Sequence, residues 1–293
     1  MANPDLRPLS MGEILDRTFT LYRGHFALFI GISAIPYLLV LLLQLTQDVF
    51  TFSSATSPQQ APVHQLQAAA SPISTGGIVA AVVLGLLALV VSILAYLLAQ
   101  GATVLAVSEL YLGRPTTISD SFRRVRGELG TIFGVLVLSG LAMMGGFILL
   151  VIPGIYIMCR LAVAVPAALI ESLGPRDSLA RSFALTKSNA GRAFLIYLLY
   201  GALVYGAMML FQFPFVIAAA ASAKNPTAMR YWMVLMQMGN IASTVLVTPV
   251  LTIAASVFYF DLRVRKEAFD LQMLMQPLGG RIAVASSMPS ILS

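Results

Sequence analysis

The sequence predicts an all-α membrane protein: a polytopic bundle of six transmembrane helices in three hairpins, with amphipathic interfacial helices on the cytoplasmic side. Apolar residues make up 58% of its 293 residues and charged residues only 10%, whereas soluble domains are roughly 25% charged. Six apolar stretches also have lengths near or above the roughly 20 residues needed to cross a bilayer. Because backbone groups in hydrocarbon must bond to one another, these stretches should be helices.

The six predicted spans form one membrane domain, residues 1–271. They are Phe26–Leu45, Gly77–Val107, Thr131–Ile152, Ile155–Ile170, Phe194–Ala221 and Tyr231–Phe260. A stretch rich in Ser, Gln, Ala and Pro predicts a flexible extracytoplasmic loop at 46–76, and 272–293 are expected to form a flexible cytoplasmic tail. Pro153-Gly154 predicts a tight turn between the third and fourth spans.

The distribution of positive charge predicts the orientation. Fifteen of the 18 lysines and arginines lie in the N-terminal arm, in 108–130, in 171–193 and in the C-terminal tail. Only Lys224 and Arg230 lie on the opposite side of the predicted membrane. Since cytoplasmic loops carry the excess of Lys and Arg, both termini should be cytoplasmic.

A repeated unit is predicted: a short basic amphipathic helix, an outward span and a returning span. Leu112-Gly113, Ser121-Phe122 and Gly130 recur as Leu173-Gly174, Ser182-Phe183 and Gly191, and Asp16-Arg17-Thr18-Phe19 matches more loosely. The returning spans end in Glu109, Glu171 and Asp261. The basic helices are interpreted either as anchors in an anionic headgroup layer or as a collar around a shared cytoplasmic cavity.

Arg160 is the only lysine or arginine inside a predicted span. A charge at such a position is a candidate functional site. It could extend to the outer headgroups, or bind a phosphate or carboxylate through its planar guanidinium. The candidate ligand-binding residues are Arg160, Arg123, Arg124 and Arg181.

Small residues and prolines predict how the spans pack and bend. Ala142/Gly146 and Ala202/Gly206 should allow close helix approach. Prolines inside spans remove a hydrogen bond and tend to kink the helix; they are Pro36, Pro166, Pro214 and Pro249.

No catalytic, cofactor or metal site is predicted. The single cysteine, Cys159, excludes an internal disulfide, and His25 and His64 lie far apart. No nucleotide-binding, serine-hydrolase or zinc-protease motif occurs. Because the basic residues lie beside spans, the expected partners are membrane lipids with anionic headgroups, with a cytoplasmic protein as a second candidate and no nucleic acid.

Four stretches resemble a known family. RPLSMGEILDRTFTLYRGHF, IPGIYIMCRLAVAVPAALIE, DSLARSFALTKSNAGR and YFDLRVRKEAFDL are similar to the bacterial membrane domain attached to some glycerophosphoryl diester phosphodiesterases. The resemblance runs from Arg7 to about Leu271, except for the outer loop. It implies a bacterial inner-membrane protein. In the fused relatives a soluble barrel of about 250 residues carries the chemistry, so the resemblance implies the membrane portion alone, without catalytic residues.

Three function classes follow in order of preference. The first is non-enzymatic binding or transport of a lipid-related or anionic amphiphilic ligand. The second is a membrane scaffold whose cytoplasmic helices dock a partner. The third is an intramembrane enzyme, which the sequence favours least because no nucleophile, base and metal site can be assembled.

Overall fold

The computed structural model describes residues 8–55, 75–222 and 224–267, and these are helical with no strand among them. The helices are α1 (Met11–Gly24), α2 (Phe26–Ala55), α3 (Thr75–Tyr111), α4 (Ile118–Val125), α5 (Leu129–Leu149), α6 (Val151–Arg160), α7 (Ala164–Ile170), α8 (Pro175–Thr186), α9 (Ala190–Phe211), α10 (Phe213–Ala221) and α11 (Pro226–Glu267). A short 3-10 turn, Arg126–Glu128, joins α4 to α5. The all-α prediction is confirmed.

Six helical segments are long and apolar enough to cross a membrane, which confirms the polytopic prediction. They are Phe26–Gln47, Val82–Tyr111, Ile118–Leu149, Val151–Ile170, Ala190–Ala221 and Thr227–Glu267. The last segment is the centre of the bundle: 61% of its most apolar stretch is buried, against 6% for Ala190–Ala221. Helix α11 therefore organises the fold, and α9 lies at its edge.

The turn between the third and fourth spans differs from the prediction. The helix breaks at Leu150, whose extended backbone separates α5 from α6. Pro153 and Gly154 lie in the first turn of α6, where the missing N–H of proline costs nothing. Gly146 and Gly154 meet across the hairpin, because a Cβ on Gly146 would lie 3.0 Å from the Gly154 Cα.

The small-residue prediction is thus confirmed at Gly146 and is wrong at Ala202/Gly206. Both of those residues are exposed, and a Cβ added to Gly206 would meet open space.

The fourth and fifth spans are each broken into two helices. The fourth is interrupted at Leu161–Val163, and the fifth at Gln212. The hydroxyls of Ser182 and Thr186 donate to the Arg160 carbonyl, at 2.8 and 3.0 Å, which satisfies a backbone group at the first break. Pro166 and Pro214 follow these two breaks, whereas Pro36 and Pro249 lie inside continuous helices.

The predicted outer loop begins later than expected. Helix α2 continues to Ala55, and α3 begins at Thr75, so residues 46–55 are helical. The rest of the predicted loop and the predicted tail, 272–293, lie outside the described residues.

The four basic segments meet at one end of the bundle, here called the basic end. The backbone N–H of Leu9 donates to Asp261 at 2.7 Å. The ring of Tyr111 at the end of α3 stacks on Phe260 with centroids 4.4 Å apart. Arg17 in α1 donates to the Tyr111 hydroxyl at 3.5 Å. The long helices therefore turn at this end as the charge distribution predicts.

Candidate functional site

A groove of about 530 Å³ opens between α2, α3 and α4. Its wall includes the apolar side chains of Ile35, Leu39 and Leu94, which are 55%, 58% and 44% exposed. Its polar end is formed by Ser119, Arg123 and Arg126. We call this feature the basic groove. It combines an apolar surface open to the outside of the bundle with a positively charged end.

The sequence of α4 explains why the arginines face the groove. Thr117 caps the helix by accepting the Asp120 N–H at 3.2 Å, which satisfies one of the free amides of the first turn. Ile118 and Val125 pack against α2 and α3 at Gly31 and Gly101, where no side chain is in the way. With this apolar face held against the bundle, the remaining face of α4 carries its basic residues outward.

The two arginines of the groove differ in their partners. Arg123 pairs with Asp120 at 2.8 Å, but its side chain is 78% exposed, and exposed pairs contribute at most about 1 kcal/mol. Arg126 is exposed and has no hydrogen-bond or ion-pair partner in the described part of the chain. Arg123 was predicted as a binding residue. Arg126 was missed, although it follows Arg123 by three residues and so lies on the same face.

Arg124 and Arg181 are engaged by carboxylates away from the groove. Arg124 pairs with Glu109 at 2.5 Å. Arg181 pairs with Glu171 at 2.8 Å and also with Glu267. Burial acts to lower the pKa of the Arg181 guanidinium, but its hydrogen bonds and its attraction to both carboxylates raise it overall. These contacts hold α4 and α8 to the long helices and engage both arginines outside the basic groove.

Arg160 extends toward the basic end. Its Nη2 donates to the Phe183 carbonyl in α8 at 2.6 Å, and its Nη1 donates to the Tyr156 hydroxyl at 3.1 Å. Its guanidinium lies over the rings of Phe183 and Tyr156, 5.1 and 5.6 Å from their centroids. The positive charge of Lys266 lies near this guanidinium. The interpretation that Arg160 extends to the outer headgroups is therefore wrong, because α8 folds back over it.

The four predicted binding residues thus occupy separate places. The three repeat phenylalanines are separated as well. Phe122 lines the basic groove, Phe183 covers Arg160, and Phe19 lies between α1, α9 and α11. A collar around one shared cavity is not formed by these positions.

The most buried charge belongs to Asp261, which is 1% exposed. It accepts from Arg192 at 2.7 Å, from Arg265 at 3.0 Å and from the Leu9 N–H. The same two arginines donate to the Leu9 carbonyl, at 2.7 and 2.5 Å. This Asp261 network ties the beginning of the chain to α9 and α11. Arg265 is one helical turn from Asp261 and is visible in the sequence, whereas Arg192 and Leu9 lie 69 and 252 residues away and are not.

Helix α1 is held along α11 as well. The Tyr22 hydroxyl donates to the Leu246 carbonyl at 2.8 Å, and burial raises the pKa of Tyr22 to about 12. Within the described ranges, no three His, Cys, Asp or Glu side chains are grouped to hold a metal ion. The basic groove combines the exposed cation of Arg126 with room for a ligand.

Comparison with known proteins gives no relative: no protein-family model, curated protein or solved structure matches this chain. The resemblance to the membrane domain of glycerophosphoryl diester phosphodiesterases stays a prediction.

Proposed function

We propose that this chain is a non-enzymatic membrane protein that binds an anionic lipid in the basic groove. The observation that carries the proposal is the pairing of an exposed apolar wall with Arg123 and Arg126, against one facing acid, Asp120. The groove end therefore keeps about one net positive charge. An acyl chain can lie along the wall while a phosphate meets the arginines.

The size of the groove agrees with such a ligand. Its volume of about 530 Å³ falls within the roughly 300–1,000 Å³ of known ligand sites. An acyl chain gains little on entering, because it leaves one apolar environment for another. Selectivity must then come from the headgroup. Each arginine near a membrane surface contributes about 1 kcal/mol to attraction of anionic lipid.

We also propose that the basic end faces the cytoplasm of a bacterial inner membrane. The excess of Lys and Arg at that end supports this orientation. The groove would then receive lipid from a leaflet that carries anionic headgroups. A link to glycerophospholipids in particular rests on the family resemblance, and the shared chemistry is a phosphate attached to an apolar chain.

The test uses the purified protein in detergent with a mixture of phosphatidylglycerol and phosphatidylcholine, followed by native mass spectrometry. Replacing both groove arginines, Arg123→Gln with Arg126→Gln, should reduce retained phosphatidylglycerol roughly 25-fold, about fivefold for each lost charge at about 1 kcal/mol. Leu94→Trp, which fills the apolar wall, should reduce retention of both lipids.

Arg176→Gln is the matched control, because Arg176 is an exposed arginine of α8 away from the groove. Its retention of phosphatidylglycerol should equal that of the unmodified protein. Unchanged retention in the double arginine variant would contradict the proposal.

A further inference from the structure

A second cavity lies inside the bundle, on another face of α3 from the basic groove. This central cavity has a volume of about 260 Å³, is partly open to the outside, and lies between α3, α5, the α6–α7 break, α9 and α11. Its polar lining consists of Tyr96, Gln100, Ser139, Tyr197 and Thr252, and no charged side chain lines it. Discontinuous helices recur beside binding sites in membrane proteins.

The polar groups of the central cavity have unused bonding capacity. The Ser139 hydroxyl is 7% exposed and has no hydrogen-bond partner among the described residues. The Gln100 amide donates to Tyr96 at 2.9 Å and its carbonyl accepts from Thr252 at 3.2 Å, which leaves one N–H and one lone pair free. A buried polar group without a partner costs about 1–3 kcal/mol. The cavity is therefore suited to a polar occupant.

A row of polar side chains on α11 leads to this cavity. Asn240, Thr244, Thr248, Thr252 and Ser256 recur every four residues, so each lies about 40° around the helix from the one before and the row winds slowly across its surface. They cover about 24 Å at 1.5 Å per residue, most of the roughly 30 Å hydrocarbon core. We call this row the hydroxyl track.

A third cavity, the outer cavity, continues the track toward the end opposite the basic end. It has a volume of about 280 Å³ between α9 and α11 and is lined by Tyr200, Gln212, Asn240, Thr244 and Thr248. Gln212 donates to Asn240 at 3.2 Å at its exposed end. Since Thr248 lines the outer cavity and Thr252 the central one, the two cavities are one helical turn apart.

Hydrogen bonds within α11 leave part of the hydrogen-bonding capacity of the hydroxyl track unused. The Thr244 and Ser256 hydroxyls donate to the carbonyls four residues earlier, each at 2.8 Å. This common arrangement satisfies the donor and leaves the oxygen lone pairs as acceptors. The members that line the two cavities, Asn240, Thr244, Thr248 and Thr252, therefore offer acceptors to a molecule that can donate.

From this geometry we propose that the central cavity binds a small uncharged hydroxylated molecule, which reaches it along the hydroxyl track from the Gln212–Asn240 end. Hydroxyl groups can donate to the track and accept from Ser139. A charged ligand would enter a site without a counter-charge, which is costly within a membrane. The volume lies just below the roughly 300–1,000 Å³ of drug-sized sites and far above the about 10–15 Å³ one water needs. This site is separate from the lipid groove.

The single cysteine makes the proposal testable by thiol accessibility in liposomes. In a Cys159→Ala background, Thr248→Cys, Thr252→Cys and Ser139→Cys place thiols along the proposed path. The probe is 2-hydroxyethyl methanethiosulfonate, which is uncharged and carries a hydroxyl. We expect all three thiols to react at least about tenfold faster than Val245→Cys and Ile253→Cys, buried control positions on α11 that line neither cavity. Rates equal to those controls would overturn the path.

The charge selectivity of the site is tested with the anionic sulfonatoethyl analogue of the probe. It should modify Ser139→Cys and Thr252→Cys at least about tenfold more slowly than the uncharged probe, after correction for their rates on free cysteine. Equal corrected rates would overturn an uncharged ligand. Because Ser139 and Thr252 lie on different helices, a folding defect in one variant, detected by size-exclusion chromatography, leaves the other to decide.

Binding itself is tested by competition. Glycerol, added as a small uncharged polyol, should slow modification of Ser139→Cys several-fold and leave the exposed Arg114→Cys unaffected. Filling the cavity with Ala255→Phe should protect Ser139→Cys while Thr248→Cys stays reactive. If glycerol leaves the Ser139→Cys rate unchanged, the cavity is a hydrated space without a polyol site, and the binding proposal fails. The result of this competition experiment is independent of how much lipid the Arg123→Gln, Arg126→Gln variant retains.

Discussion

At the scale of single residues, Asp261 is a buried carboxylate whose charge must be compensated by its neighbours. A carboxylate buried to 1% exposure is costly unless its charge and lone pairs are matched. Two arginines and one backbone N–H match them here. The arginines also bond to the Leu9 carbonyl, so removing one charge leaves several groups unsatisfied.

We predict that Asp261→Asn lowers the free energy of unfolding by about 3–5 kcal/mol, the usual cost of breaking a buried ion pair. Thermal unfolding of the detergent-solubilised protein measures it. Asp120→Asn is the control, since its pair with Arg123 is exposed and should contribute no more than about 1 kcal/mol. Equal losses in the two variants would show that burial of Asp261 does not decide its contribution.

Residue roles were predictable from the sequence where charge alone decided them. The acids at the ends of the returning spans are paired with arginines, as at Glu109 and Glu171. The direction of Arg160 was not predictable, because it depends on how α8 folds back onto α6. Arg192 was missed for a similar reason, because its bonds to Asp261 and Leu9 are tertiary contacts.

At the scale of helices, the backbone of α11 comes close to the end of α9 at Gly239. A Cβ at this position would collide with the Phe211 carbonyl oxygen, a backbone atom. We predict that Gly239→Ala forces α11 away from the break at Gln212 and costs about 1–3 kcal/mol, as overpacking does. The midpoint of thermal unfolding should fall accordingly.

Gly206→Ala is the matched helical control, because a Cβ there meets open space. It should be neutral or stabilising by up to about 1 kcal/mol, since alanine favours a helix more than glycine does. A larger loss at Gly206 than at Gly239 would contradict the close approach.

Element positions were predictable to within several residues because long apolar stretches have few alternatives in a bilayer. The breaks were harder to predict. Pro153-Gly154 is a strong local turn signal, yet the chain turns at Leu150 and the proline lies in the first turn of the next helix. Proline fits a first helical turn as well as a loop, so the local pattern alone could not distinguish the two.

At the scale of the whole molecule, the basic end and the Lys224 region should lie on opposite sides of the membrane. In the Cys159→Ala background, a membrane-impermeant maleimide should label Lys224→Cys on spheroplasts, the bacterial cells stripped of their outer envelope. Arg114→Cys should be labelled only after the membrane is permeabilised. Both positions are exposed, so accessibility differs only through topology. The reverse pattern would invert the proposed orientation.

The cavities could not be predicted from the sequence, although the bundle could. The basic groove combines Ile35, Leu94 and Arg126, and the central cavity combines Gln100, Ser139 and Thr252. Each set comes from three separate helices, so no local pattern marks it. The four-residue spacing of polar side chains on α11 was visible in the sequence, but only the cavities beside it distinguish a path from ordinary packing.

The bond between Leu9 and Asp261 also sets an order of assembly on the ribosome. The two residues are 252 positions apart, and at about 5–20 residues per second the second is made roughly 10–50 s after the first. Throughout that interval the Leu9 N–H lacks its Asp261 partner. Since α11 is the last of the described helices to be made and lies at the centre of the bundle, the contacts along it form only after the other described helices have been made.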